Sequence, residues 1–151
     1  KINNCIVYCL NKFLIKNIMS NNQEVIGGSV ACLGYIFLSF CSFTDGELSN
    51  EEMDAIKIEI LGISNAFGLS EEEYSQAIDD AVTMLTGCSD SKEQIELFIT
   101  VLDLLSSQSY WNQDLAKAVV GSLTRMMDAD GVRHENEIYW VDTIKKAWNV
   151  A

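Results

Sequence analysis

Proline is missing from this 151-residue chain, histidine occurs once, and cationic side chains are scarce. Without proline the chain lacks the commonest helix breaker and the usual mark of a stiff linker, so long helices in a single domain are expected. With His134 as the lone histidine, general base catalysis by a His-containing triad is hard to assemble. The five cysteines, Cys5, Cys9, Cys32, Cys41 and Cys88, contain no C-x-x-C pair, so zinc and iron–sulfur clusters lack their ligand set. Their odd number and apolar neighbours fit buried, reduced thiols in a cytoplasmic protein. No serine, cysteine or lysine stands in a nucleophile motif, and no glycine loop matches a phosphate cradle. The chain therefore reads as a non-enzyme, with paired carboxylates as its sole route to acid–base chemistry.

Ten Lys and Arg face 22 Asp and Glu, a net charge of −12. Lys1, Lys12 and Lys16 lie in the first 18 residues, which hold no acid, so the remainder carries 7 cations against 22 acids, a balance of −15. Such a body repels phosphate, which argues against nucleic acid and favours cations and basic proteins as partners. The chain is long enough for one domain with its own core.

Glycines and small polar caps punctuate a helical pattern. Residues 2 to 18 place Ile2, Cys5, Ile6, Cys9, Phe13 and Leu14 on one face, which predicts a short amphipathic helix. These residues are assigned to an N-terminal extension, and residues 19–151 to one all-helical domain, because Met19-Ser20-Asn21-Asn22 resembles an ordinary start. A long helix is predicted over 23–44. A capping box at Ser49 to Glu52 opens a second helix that runs to about 66 and is stopped by Gly68. Ser70 to Glu73 repeats the device for a helix over 71–86 ending at Gly87, and Asp90 or Ser91 opens one through about 106. Further helices are expected over 110–128 and 135–149. No stretch alternates long enough to argue for a strand. Trp111, Trp140 and Trp148 with Tyr110 and Tyr139 are expected to form one aromatic cluster in the core.

Two acidic turns 85 positions apart are the most specific feature: Asp45-Gly46-Glu47-Leu48-Ser49-Asn50-Glu51-Glu52 and Asp130-Gly131-Val132-Arg133-His134-Glu135-Asn136-Glu137. Each has the form D-G-x5-E, follows an apolar run and opens a helix. Laid over Ala116–Glu137, Ala31–Glu52 shows identities at Ala31, Leu38, Asp45, Gly46 and Glu52, so a duplicated helical hairpin is the economical reading. Hard divalent cations, calcium foremost, take six or more oxygens, and carboxylates with turn carbonyls supply them without Cys or His. Asp45, Glu52, Asp130 and Glu137 are the first-choice ligands, with Glu47, Glu51, Asp128 and Glu135 in reserve. An EF-hand is ruled out by spacing: counted from Asp128, the glycine at position 6 would be Arg133 and the glutamate at 12 would be Tyr139.

The competing explanation is structural. Glu52 three residues after Ser49 can complete a capping box, and Asp45 before Gly46 can bond turn amides. A second alternative concerns Val25 to Phe43, 19 residues without charge that are long enough to span a bilayer. Against a span stand Gly27, Gly28 and Gly34 with Ser29, Ser39 and Ser42. The matching stretch Ala116–Ala129 also holds Lys117, Arg125 and Asp128.

An apolar helix followed by D-G-E-x-S-x-E-E, and a helix ending before Gly-Leu-Ser-Glu-Glu-Glu at Gly68–Glu73, resemble the TerB-like tellurite-resistance family. Met127-Asp128-Ala129-Asp130-Gly131 with Glu135 and Glu137 is similar to that family's second acidic motif. The resemblance spans about Gln23 to Val150. The chain departs from the pattern in Tyr35, Phe37, Phe40 and Phe43, and in Val132 where an acid often stands. The resemblance implies a compact all-α bundle of six to seven helices in two related halves. It also implies divalent-cation binding, no catalysis, and a place among the proteins of a chemical-stress or phage-defence assembly, sometimes membrane-linked.

Overall fold

The computed structural model describes the backbone of residues 22–45, 49–128, 131 and 133–151, and their side chains apart from residues 22–27, 44 and 45. The amphipathic helix expected at residues 2–18 lies outside them. Among the described residues six helices follow one another: α1 (Asn22–Asp45), α2 (Asn50–Ala66), α3 (Glu71–Thr86), α4 (Ser91–Ser106), α5 (Gln113–Asp128) and α6 (Glu135–Ala147). Among the described residues there is no strand, so the expected all-α class holds.

α1 is the axis of the bundle. Every residue from Gly28 to Cys41 is buried, and α2, α3, α4 and α6 all pack against it. A helix enclosed on all sides must be apolar around its whole circumference, which explains a run that reads like a span. Among the described residues no helix is long and apolar enough to cross a membrane. The alternative of a span over residues 25–43 therefore gives way to a core helix, whose Leu33, Tyr35, Ile36, Phe37 and Phe40 are among the largest fully buried side chains.

The tightest packing is between α1 and α3. A Cβ placed on Gly34 would stand 2.9 Å from the Cβ of Ala81, closer than real Cβ atoms come. Ala77 and Ala81 present short side chains to this seam. Small residues let the two backbones approach, and larger ones on either side fill the layer around them.

Local chemistry sets the ends of the helices. The Ser49 hydroxyl accepts from the Glu52 amide at 3.1 Å, and the Glu52 carboxylate accepts from the Ser49 amide at 2.8 Å, a complete capping box. At Ser70 only half of the device recurs: the Glu73 amide donates to the Ser70 hydroxyl, which in turn donates to the Glu73 carboxylate. Asp90 caps α4 through the Glu93 amide at 2.9 Å. Gly68 adopts φ +72° after α2, where the Gly68 and Leu69 amides donate to the carbonyls of Asn65 and Ser64, and Leu69 is buried as the helix closes. Gly87 ends α3 without a left-handed turn, at φ −73°.

Two boundaries differ from the sequence reading. α5 starts at Gln113 rather than 110, because Asn112 accepts from the Leu115 amide at 2.9 Å and acts as its cap. α6 ends at Ala147 rather than 149, because Asn149 turns left-handed at φ 53° and the Asn149 and Val150 amides close on Lys146 and Lys145. The expected single aromatic cluster is also resolved into separate groups. Trp111 packs on Trp148, and Tyr110 on Phe67, while Trp140 joins Tyr139, Phe43 and Phe98. The Trp148 indole donates to the Leu102 carbonyl at 3.0 Å, which ties the end of α6 to α4. Among the described residues no disulfide forms, with Cys32 and Cys41 buried and Cys88 half-buried.

Gly34→Ala tests the α1–α3 seam, because two effects oppose each other there. Alanine improves helix propensity by about 1 kcal/mol, whereas overpacking costs about 1–3 kcal/mol. The clash wins, since Ala81 Cβ sits directly on backbone and cannot swing away. Thermal melts are expected to show a lower midpoint for Gly34→Ala, with recovery when Ala81→Gly is added.

Candidate functional site

The end of α1 meets the first turns of α4 and α6 at one end of the bundle. Phe43, at the end of α1, stacks on Trp140 of α6 with ring centroids 4.7 Å apart. Around this contact lies a cleft of about 400 Å³ lined by Ser42 and Phe43 from α1, Ser91, Gln94 and Ile95 from α4, and Asn136 and Trp140 from α6. The end of α1 and the first turns of α4 and α6 thus meet here. α2 begins five residues after α1 ends, no more than about 17 Å of extended chain. The starts of α4 and α6 meet at this end, the start of α2 follows within that reach of the end of α1, and each of the three carries acids in its first turn.

Of the eight candidate cation ligands, five have described side chains. Glu52 spends one oxygen on the Ser49 amide. Glu137 does the same for α6, accepting from the His134 amide at 3.0 Å. Glu51 and Glu135 are exposed in the first turns of α2 and α6. Asp128, at the end of α5, is held by Arg133, whose Nε and Nη2 donate to its two oxygens at 2.6 and 2.8 Å. That guanidinium, through its hydrogen bonds, keeps the Asp128 carboxyl below the usual carboxylate range. The side chain of Asp45, together with Glu47 and Asp130, lies outside the described residues. Among the described residues no three His, Cys, Asp or Glu side chains gather closely enough to hold a metal ion.

Gly131 gives the second D-G pair a conformational reason. It adopts φ +77°, and its amide donates to the Asp128 carbonyl at 3.0 Å, so the chain leaves α5 through a left-handed turn that glycine enters without a Cβ penalty.

Two arrangements escaped the sequence reading. The first is the Arg133–Asp128 pair, in which a basic residue five positions on neutralises a candidate ligand. The second joins α2 to α5: the Ser122 hydroxyl donates to Glu59 at 2.8 Å, and Arg125 Nη2 donates to Glu59 at 3.2 Å and to Ser122 at 2.8 Å. Its partners are 63 and 66 positions apart, so no local spacing could reveal it. This triad closes one end of a second cleft, between α2 and α5, of about 580 Å³. At the other end the Tyr110 hydroxyl donates to the Ser29 hydroxyl of α1, and burial pushes the phenol up to about 12.

Comparison with family models, with curated proteins and with solved structures finds no match for this chain.

The Asp128–Arg133 pair carries a pH signature. Because the folded carboxyl titrates below its unfolded value, the pair stabilises the fold above the ordinary Asp range near pH ~4, and that contribution disappears as pH falls through the folded pKa. Carboxyl-carbon NMR titration is expected to place Asp128 below the ordinary Asp range, and to return it to that range in Arg133→Met.

Proposed function

We propose that this chain is a non-enzymatic, TerB-like helical module whose acidic end docks basic segments of partner proteins in a chemical-stress (tellurite) or phage-defence assembly. The observation that carries this reading is the meeting of the acidic first turns of α4 and α6 around the Phe43–Trp140 contact. Glu52 and Glu137 have structural work as caps, and Asp128 is neutralised by Arg133. Glu51 and Glu135 are exposed in the first turns of α2 and α6 and add surplus negative charge there. Beside them Ile138 and Tyr139 are exposed on α6, at 41% and 62%, an apolar anchor within a charged rim. A basic residue over the Tyr139 ring would gain a cation–π contact in addition to its attraction to the acids.

Binding of a lysine- and arginine-rich peptide should weaken steeply with salt, because the attraction is between exposed charges. Isothermal titration with the Glu51→Gln/Glu135→Gln variant is expected to show both lower affinity and a flatter salt dependence. Equal binding by parent and variant at every ionic strength would sink the reading.

The recurrence of D-G-x5-E before α2 and α6 also favours a second reading, in which Asp45 and Asp130, with the second oxygens of Glu52 and Glu137, share a divalent cation, calcium first. Such a cation would stabilise the fold by about 2.7 kcal/mol at a hundredfold excess over its dissociation constant. The expected result is a rise of several degrees in the melting midpoint with millimolar calcium, abolished by Asp45→Asn and by Asp130→Asn. No rise with calcium, magnesium, manganese or zinc would remove this reading and leave the docking module standing.

A further inference from the structure

The cleft of about 400 Å³ beside Trp140 offers more than a negative field. Trp140 is held by three rings, with centroids 4.7 Å from Phe43, 5.3 Å from the fully buried Phe98 and 5.2 Å from Tyr139. A ring fixed in this way meets a guest with little further loss of rotamer freedom. The polar part of the lining consists of two amides, Gln94 and Asn136, and two hydroxyls, Ser42 and Ser91. Among the described residues the side-chain polar atoms of these four have no hydrogen-bond partner. The backbone of Gln94 is nevertheless anchored, since its carbonyl accepts from the buried Tyr35 hydroxyl at 2.7 Å. That turn of α4 is thus tied to the core while its amide side chain stays available.

None of the residues that line this cleft is charged. The charge stands beside it, in Glu93 of α4 and in Glu135 and Glu137 of α6, all in first turns. Those acids draw a cation towards the cleft and oppose an anion. Inside it, however, the cation meets neutral oxygens and an indole ring, with no carboxylate in the lining to offset lost hydration. This separates the two basic side chains. A lysine ammonium is compact and strongly hydrated, so it loses most on entering. An arginine guanidinium is weakly hydrated, stacks on an aromatic face, and aims five N–H donors in a fixed plane at several acceptors together.

We infer that this cleft seats one arginine side chain of a basic partner segment, with the guanidinium against the Trp140 ring and donating to the amide oxygens of Gln94 and Asn136. The inference rests on the docking reading above and adds selectivity to it. Lysines elsewhere in the segment supply charge, whereas this one position takes arginine.

Two synthetic peptides of lysine and glycine, identical except for a central arginine in one and a central lysine in the other, carry equal charge and test that choice. In isothermal titration against the full chain, the arginine peptide is expected to bind roughly tenfold tighter, about the worth of one hydrogen bond to a charged group. Gln94→Leu/Asn136→Leu should abolish the preference, while both peptides continue to weaken with salt because the acids are untouched. An NMR titration of the parent with the arginine peptide should move the side-chain amide resonances of Gln94 and Asn136, a result that needs no variant. Equal affinity of the two peptides for the parent, a preference that survives in the double variant, or amide resonances that stay in place would each overturn the arginine site and leave acidic docking intact. Failure of both peptides to bind would remove the docking reading as well.

Discussion

The close passage of α1 over α3 at Gly34 and Ala81 is the constraint on which the other packing rests. It holds α1 deep enough for three further helices, α2, α4 and α6, to enclose it. A core helix that is apolar on every side relieves its neighbours of that burden, so each of them needs only one apolar face. Their outer faces are left to carry acids, which is how a chain with nearly half its residues hydrophobic can also stand at −12. Enclosure also fixes the direction of α1, and its Phe43 end therefore determines where the starts of α4 and α6 meet.

Much of this fold was legible because helix ends obey local rules. The limits of α3 follow from Ser70 and Gly87, and those of α2 from the Ser49–Glu52 box and Gly68, all within a few residues of the boundary they set. The errors came where an apolar period ran on past a cap. Tyr110 and Trp111 continue the pattern of α5, yet Asn112 bonds the Leu115 amide and starts the helix behind them. Asn149 closes α6 in a conformation usually left to glycine. The partners of each tryptophan were not legible at all, since Trp140 meets Phe43 and Trp148 meets Leu102 across sequence distances that no periodicity encodes. The candidate site was legible to the same limited degree. Spacing located its acids, but the Arg133 pairing and the Glu59–Ser122–Arg125 triad are products of tertiary packing.

The repeated D-G-x5-E pattern shows why one motif supports two readings. Glycine is needed at 131 by the left-handed turn, and glutamate at 52 and 137 by orphan amides at a helix start. Those needs alone would preserve much of the pattern with no ion present. Glu51 and Glu135 are not needed as caps, although a carboxylate in a first turn gains about 0.3–1 kcal/mol from the helix dipole. Capping therefore explains the positions of the acids better than it explains their number.

Their number matters for the sign of the field at this end. The three helix starts bring about half an elementary positive charge each, roughly 1.5 in all, and by themselves would attract an anion. Against that stand Glu51, Glu52, Asp90, Glu93, Glu135 and Glu137, with Lys92 as the cation set among them and Asp128 cancelled by Arg133. Six carboxylates less one ammonium outweigh the dipoles by more than threefold. The field at these helix starts is consequently negative despite their dipoles. That sign suits a divalent ion and a basic peptide alike, and it opposes the phosphate groups that helix starts otherwise favour.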